Sequence, residues 1–266
     1  MIGRVLVVAG SDSGAGAGIQ ADIKTVAALG GYATTAITAL TAQSTEGVAG
    51  IFPVPPEFVR AQMAAVLDDI GADSVKTGML HNAGVIDAVA GVIEEQAAAL
   101  PLVVDPVMIS TSGSRLLDAA AIEALRGRLI ARAAVLTPNL PEAEALTGTS
   151  VATLDEMKRA AERLRRMGPA TVLVKGGHLP GDLVEDVICS EDGITILSSP
   201  RIATRHTHGT GCTLASAIAV GLAQGLAPLP AIRRARDYLI AALRNAPGLG
   251  RGHGPLGHMA RPDAAR

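Results

Sequence analysis

The run Thr204-Arg205-His206-Thr207-His208-Gly209-Thr210-Gly211-Cys212-Thr213 sets two glycines and a thiol directly ahead of an apolar, alanine-rich stretch, 214–223. A glycine loop that enters a helix is a physical device. The first backbone N–H groups of a helix have no intrahelical partner, and the helix dipole adds partial positive charge at that end. Glycine lets an anion come close to the backbone. Gly209, Thr210, Gly211 and Cys212 are therefore a candidate anion cradle with a thiol inside it. On residue type alone the loop reads equally as a plain turn into a helix, and Cys212 as a small packing residue. His206 and His208 lack companion ligands at zinc spacing, so no metal is expected between them.

Other chemistry-bearing residues fall at the ends of short apolar runs. The segment Gly10-Ser11-Asp12-Ser13-Gly14-Ala15-Gly16-Ala17-Gly18 spaces its later glycines by two, unlike the Gly-x-Gly-x-x-Gly of dinucleotide folds. Gln43 ends a threonine-rich run and carries both a donor and an acceptor, which suits a paired heterocycle edge. Without further context it is a solvated loop glutamine. Met79 can lie against a flat ring or serve as core. Asp105 follows an apolar run and is either a carboxylate for a hydrated Mg2+ or a cap. Asn139-Leu140-Pro141-Glu142 follows a run ending in Thr137, and Pro141-Glu142 is also a good first helical turn. Lys175-Gly176-Gly177-His178 supplies a point charge for phosphate beside two mobile glycines; His178 reads as a loop residue. The chain has neither Gly-x-x-x-x-Gly-Lys-Ser/Thr nor a His-Arg-Asp loop, which disfavours P-loop and protein-kinase folds.

Elements that position these residues follow from periodicity. Strands are expected over 4–9, 33–40, 48–54, 74–76, 102–104, 134–137 and 171–174, with a hairpin of 184–189 and 193–197. Helices are expected over 19–29, 57–70, 83–100, 118–129, 141–146, 154–167, 213–226 and 230–245, and 10–18 is expected to be loop. Strand and helix alternate with short connections, which predicts a mostly parallel sheet flanked by helices, with ligands beyond the carboxyl ends of the strands. No linker or repeat divides the chain. One α/β domain is expected over 1–246, followed by a loose Gly/Pro/Arg-rich tail over 247–266.

Composition narrows the function classes. The chain has 266 residues, is 48% hydrophobic and 18% charged, and carries a net charge of −2, so it folds around a substantial core. The near-neutral charge argues against nucleic acid held by bulk electrostatics, and the absence of Trp argues against base-stacking platforms. Two cysteines form no disulfide framework. No apolar run is long enough to span a bilayer, and the first ten residues read as a strand rather than a secretory signal. A cytoplasmic location without membrane partners is the expectation.

His208-Gly209-Thr210-Gly211-Cys212-Thr213-Leu214, together with Gly10-Ser11-Asp12 and Gly16-Ala17-Gly18-Ile19-Gln20-Ala21-Asp22, resembles the end motifs of the hydroxymethylpyrimidine/phosphomethylpyrimidine kinases of thiamine biosynthesis, a ribokinase-like family. The resemblance runs from the first strand to about residue 237. It implies a three-layer α/β/α sandwich and ATP-dependent phosphorylation of the pyrimidine alcohol and then of its monophosphate. It places Gly10, Ala17, Asp22, Gln43, Met79 and Val107 around the acceptor. It gives Thr137, Asn139 and Lys175 to ATP, and Glu142 and Asp105 to Mg2+. It sets residues 209–212 on the transferring phosphoryl group and implies a homodimer. Cys212, at a helix start, is then expected to have a lowered pKa and to act as a thiolate base. The same resemblance keeps pyridoxal kinase open as an alternative, and a non-catalytic nucleotide-binding regulator as one of another class.

Overall fold

In the computed structural model, which describes residues 2–108 and 117–260, nine strands form one sheet. They are β1 (Arg4–Asp12), β2 (Tyr32–Ser44), β3 (Gly47–Pro53), β4 (Ser74–Thr77), β5 (Leu102–Val104), β6 (Val135–Leu136), β7 (Thr171–Val174), β8 (Leu183–Ser190) and β9 (Gly193–Pro200). The helices are α1 (Gly18–Ala28), α2 (Pro56–Asp69), α3 (Ala83–Gln96), α4 (Ala119–Arg128), α5 (Leu140–Thr147), α6 (Leu154–Arg165), α7 (Thr210–Ala223) and α8 (Pro228–Arg244), with one 3-10 turn at Ile130–Arg132. The strand order is β3-β2-β1-β4-β5-β6-β7-β8-β9. Pairing is parallel from β2 through β7, and antiparallel for β3 on β2, β8 on β7 and β9 on β8.

Both faces of the central parallel strands are covered, which explains their unbroken apolar runs. Alternate residues of β1 point to opposite cores. Leu6 and Val8 join Val59, Met63, Val89 and Leu164 beneath α2 to α6. Val5 and Val7 join Val26, Leu214, Ile218 and Ile232 beneath α1, α7 and α8. The expected α/β/α sandwich is therefore the architecture found. Local signals fix several helix starts: Asn82, Asp118 and Thr153 cap α3, α4 and α6, and Asn139 with Glu142 forms a reciprocal capping box on α5.

Among the expected boundaries that move, three bear on the site. β1 runs on to Asp12 across an irregularity at Gly10, and β2 runs on to Ser44, because the two strands keep pairing beyond the sheet core. α7 starts at Thr210, three residues earlier than expected, because Gly209 (φ 85°) turns the chain directly into the helix.

The tail is also corrected: residues 247–260 are not loose. Gly257 N–H donates to Ala242 carbonyl, and Leu256 is buried. Pro255 bridges His208, and His253 N–H donates to Thr45 carbonyl. The His258 ring lies 3.0 Å from Thr213 Oγ1, while its carbonyl accepts the Tyr238 hydroxyl at 2.6 Å. Burial holds His258 down at about 4, so it is neutral at physiological pH. The segment straps the β2–β3 turn to the first turn of α7. Residues 261–266 of the expected tail lie outside the described residues.

Candidate active site

The carboxyl ends of the parallel strands open into one cleft of about 550 Å³, ample for a small ring and part of a nucleotide. Its wall brings together Gly10, Ala17, Gln43, Met79, Val107, Asp105, Asn139, Glu142, Lys175, Gly209, Thr210, Gly211 and Cys212. Two expected members are elsewhere. The Asp22 carboxylate is wholly buried, accepting from Lys76 Nζ at 2.9 Å through each oxygen and from Ser216 Oγ at 2.7 Å. It is closed off from an acceptor. Thr137 is wholly buried beneath Asp105 and donates to Asp105 Oδ1 at 3.2 Å, so it orients that carboxylate rather than meeting a nucleotide.

The cradle is made by two backbone segments in contact. No side chain caps α7, whose first turn is Thr210, Gly211 and Cys212. A Cβ at Gly209 would come within 1.9 Å of Gly16 carbonyl oxygen, so the loop after β1 presses against the entrance of α7. Gly18, with φ 57°, starts α1 beside Gly10 in the same way. The Gly18 N–H points at the Cys212 sulfur.

The expected thiolate is corrected. Burial pushes the Cys212 thiol up to about 12; the Asp22 and Asp105 carboxylates add to this, and Lys76 and the Gly18 N–H oppose it without prevailing. Desolvation outweighs the helix start, and Cys212 is a thiol at neutral pH.

Lys175 stands between two carboxylates. Its Nζ lies 3.1 Å from Asp105 Oδ1 and 3.9 Å from Glu142 Oε2. A side chain at position 211 would meet Lys175 Nζ at 3.3 Å and Asp105 Oδ2 at 3.4 Å, so the group sits against the cradle. Burial works against the Lys175 charge, but Asp105 and Glu142 outweigh it and raise its pKa. Glu142 is raised to about 7, chiefly by burial, against the pull of Lys175 and of the Asn139 and Met108 N–H groups, with Asp105 adding repulsion. Asn139 Oδ1 is spent on Glu142 N–H, so the helix-start reading of this motif holds alongside any binding role. Two close carboxylates with one lysine leave surplus negative charge, which suits a divalent cation. No cluster of three or more His, Cys, Asp or Glu suited to a metal exists among the described residues. The donor set therefore fits Mg2+ completed by phosphate oxygens and waters rather than a closed protein cage.

Glu142 carries a pH prediction. A carboxylate must be ionised to hold a cation, so kcat/KM is expected to rise with pH to a plateau above about 7. Glu142→Gln should lower the plateau and erase the inflection. An inflection that survives in this variant would assign it to another group.

Elsewhere on the cleft wall, Gln43 Oε1 accepts from Thr41 Oγ1 at 3.0 Å, and its amide nitrogen lies 3.3 Å from His208 Nε2. Met79 lies beside Gly10, and Val107 follows Asp105 in a tight turn. Two residues here, Asp12 and His208, belong to the end motifs but have no role assigned from the sequence. Asp12 accepts N–H bonds from Gly14, Gly16 and Ala17 at 2.8, 3.0 and 2.8 Å and meets His208 Nε2 at 2.8 Å. Burial opposes its charge, yet His208 and these N–H groups hold it below the usual carboxylate range. It is the post around which the glycine loop is wound.

The family model for phosphomethylpyrimidine kinase matches residues 12–257. The chain belongs to the phosphomethylpyrimidine kinase family. This pyrimidine kinase family member is 51% identical over 265 residues to the thiamine biosynthesis bifunctional protein ThiED of Geobacter sulfurreducens, covering 99% of the chain and 54% of that protein. It is 48% identical to the hydroxymethylpyrimidine/phosphomethylpyrimidine kinase of Streptomyces coelicolor, over 96% of the chain and 93% of that enzyme. Its fold matches that of Bacillus subtilis pyridoxal kinase, solved as an ADP complex, with a TM-score of 0.89, 35% identity and 98% of each chain covered.

Proposed function

We propose that this kinase transfers the γ-phosphoryl group of ATP to the hydroxymethyl oxygen of hydroxymethylpyrimidine, and then a second phosphoryl group to the resulting monophosphate. The observation that carries this reading is the convergence of an uncapped helix start, a lysine between two carboxylates and a Gln43–Met79–Val107 wall on one cleft. A non-catalytic nucleotide-binding protein would have no need for that full set.

In the proposed mechanism the acceptor ring lies between Met79 and Val107, with Gln43 reading its paired ring nitrogen and amino group. Asp12 and His208 fix the loop and the Gln43 side chain around it. The N–H groups of residues 210–212 face the transferring phosphoryl group and stabilise charge on its oxygens. Lys175 adds a positive charge on the same side. Asp105 and Glu142 are the carboxylates that would hold Mg2+, which neutralises charge on the β- and γ-phosphates when bound. Phosphoryl transfer of this loose kind needs little base assistance. Cys212, as a thiol, orients the attacking hydroxyl. Cys212→Ala is therefore expected to lower kcat about 100-fold, the scale of a misplaced reacting group, and to leave the KM for ATP within about threefold. A kcat close to that of the parent would remove Cys212 from the chemistry.

Pyridoxal kinase is the second reading, favoured by the extent of the fold match to the Bacillus subtilis enzyme. ADP release from Mg-ATP with hydroxymethylpyrimidine, its monophosphate or pyridoxal, each supplied separately, tests both. Turnover of both pyrimidines with pyridoxal poor is the expected result; preference for pyridoxal would transfer the protein to vitamin B6 salvage. Cytoplasmic location and a homodimer complete the proposal. No helix among the described residues is long and apolar enough to cross a membrane.

A further inference from the structure

One charged pair takes no part in the mechanism above. Lys76 and Asp22 are both wholly buried, and the ammonium lies 2.9 Å from each carboxylate oxygen. A buried ion pair of this kind gives little or no stability over an apolar pair of the same volume, because desolvation cancels most of the attraction. Stability alone therefore does not account for it.

Its placement does. Lys76 is on β4, Asp22 on α1, and Ser216, which donates to Asp22 Oδ1, is on α7. These three elements deliver the cleft's parts: β4 leads into Met79, α1 follows the glycine loop, and α7 carries the cradle. Ser74 Oγ ties β4 to α7 again through Ala219 carbonyl at 2.9 Å. A Cβ at Gly78, the residue before the cleft-lining Met79, would lie 3.0 Å from Lys76 Nζ and 3.1 Å from Ala9 Cβ, so the ammonium lies behind two residues of the cleft wall. The charge of Lys76 favours ionisation of Cys212, although burial prevails there. The groups that face it are Asp22 from α1, Asp105 beyond β5 and Cys212 from α7. Burial weakens its charge, but the Asp22 and Asp105 carboxylates outweigh that and raise its pKa far above the usual lysine range, so it stays an ammonium throughout turnover.

We propose that Lys76 is a positioning residue for phosphoryl transfer: clamped by Asp22, its ammonium is a fixed positive charge beneath the first turn of α7 that holds Cys212 and the cradle in register with the acceptor wall. No proton moves. Asp22 prevents the ammonium from swinging up into the cleft and meeting phosphate directly, and Lys175 takes that contact instead. The role rests on the kinase reading, but its test does not depend on turnover alone.

The test uses the full chain in a Cys189→Ser background, so that Cys212 is the one thiol that iodoacetamide can alkylate. Two variants alter the pair from opposite sides, Lys76→Met and Asp22→Asn. At pH 9, loss of the ammonium is expected to slow Cys212 alkylation about tenfold. Loss of the carboxylate is expected to speed it about tenfold, because a nearby unit charge shifts the ionisation of a half-buried thiol by about that factor. Both variants lose thermal stability, so a purely structural role moves the two alkylation rates in the same direction. Lys76→Met should also lower kcat about 30-fold while the KM for ATP stays within about threefold, and the Lys76→Met/Asp22→Asn double variant should regain thermal stability without regaining kcat. Equal or same-direction alkylation shifts, or a double variant that recovers kcat with its stability, would overturn the proposal. If Lys76→Met does not fold, Asp22→Asn still decides, since unchanged or slower alkylation contradicts the fixed charge. Opposed alkylation shifts with no kinase activity towards any tested acceptor would leave the charge assignment standing and remove the kinase reading.

Discussion

Replacing Lys175 with Met is expected to lower kcat by about three orders of magnitude, the scale associated with removing a preorganised charge from a developing phosphoryl anion. The effect has two parts. Lys175 is the cation between Asp105 and Glu142, at 3.1 and 3.9 Å, beside the first turn of α7. Without it, two buried carboxylates face each other, and one of them takes up a proton unless another cation replaces the lysine charge. The variant should therefore turn over slowly at any Mg2+ concentration. Lys175→Arg should not restore the rate, because a planar fork cannot reproduce a point charge in that gap. Steady-state kinetics at several Mg2+ concentrations checks this. A Met variant that reached parental kcat at high Mg2+ would show that Lys175 only organises the carboxylates.

Gly209→Ala is expected to disable the cradle and to destabilise the fold together. The residue has a φ of 85°, which costs a non-glycine residue strain, and its Cβ would sit 1.9 Å from the Gly16 carbonyl oxygen. The colliding atom is backbone, so neither side can swing aside. Strain and overpacking sum to about 3 kcal/mol. For a chain of this size that is a fall in Tm of about 8 °C. The loop around Asp12 must retreat, so acceptor and phosphate sites separate, and kcat/KM should fall more than 100-fold even at temperatures where the variant is folded. Thermal unfolding and kinetics on the same preparation check both parts. Normal kcat/KM with a lowered Tm would mean that the contact is a packing contact only.

The alternation of strand and helix was readable because each buried strand is a short apolar run with a glycine or polar residue at its end. The cleft follows from that alternation, since ligands lie at those ends. What escaped reading lies where one residue type has two uses. Asp22 falls on the apolar stripe of α1 with Ile19 and Val26, all buried. A carboxylate at that spacing points into the core, and the stripe was the signal that it does not face a substrate. Lys76, inside a four-residue strand buried throughout, carried the matching signal. Asp12 precedes Gly14 and Gly16, the arrangement in which an aspartate accepts from N–H groups two residues on; its partner His208 is 196 positions away and beyond any local pattern. Residues 247–260 are rich in Gly, with two prolines, and their contacts are single backbone or ring contacts without period. Composition therefore suggested a loose tail where the fold has a strap. The Cys212 thiol was read from its helix start alone, but burial among carboxylates decides its state.

The strap has a consequence for how the molecule comes into being. Its His258 ring meets Thr213, its residue 252 N–H reaches Thr45 across 207 positions, and Ser216 reaches Asp22 across 194. Loop-closure entropy makes such distant pairings the late events of folding. Helices and the middle of the sheet can form while the cradle is still open, so secondary structure and binding competence arrive at different times. A newly made chain is first a sandwich and only afterwards a kinase.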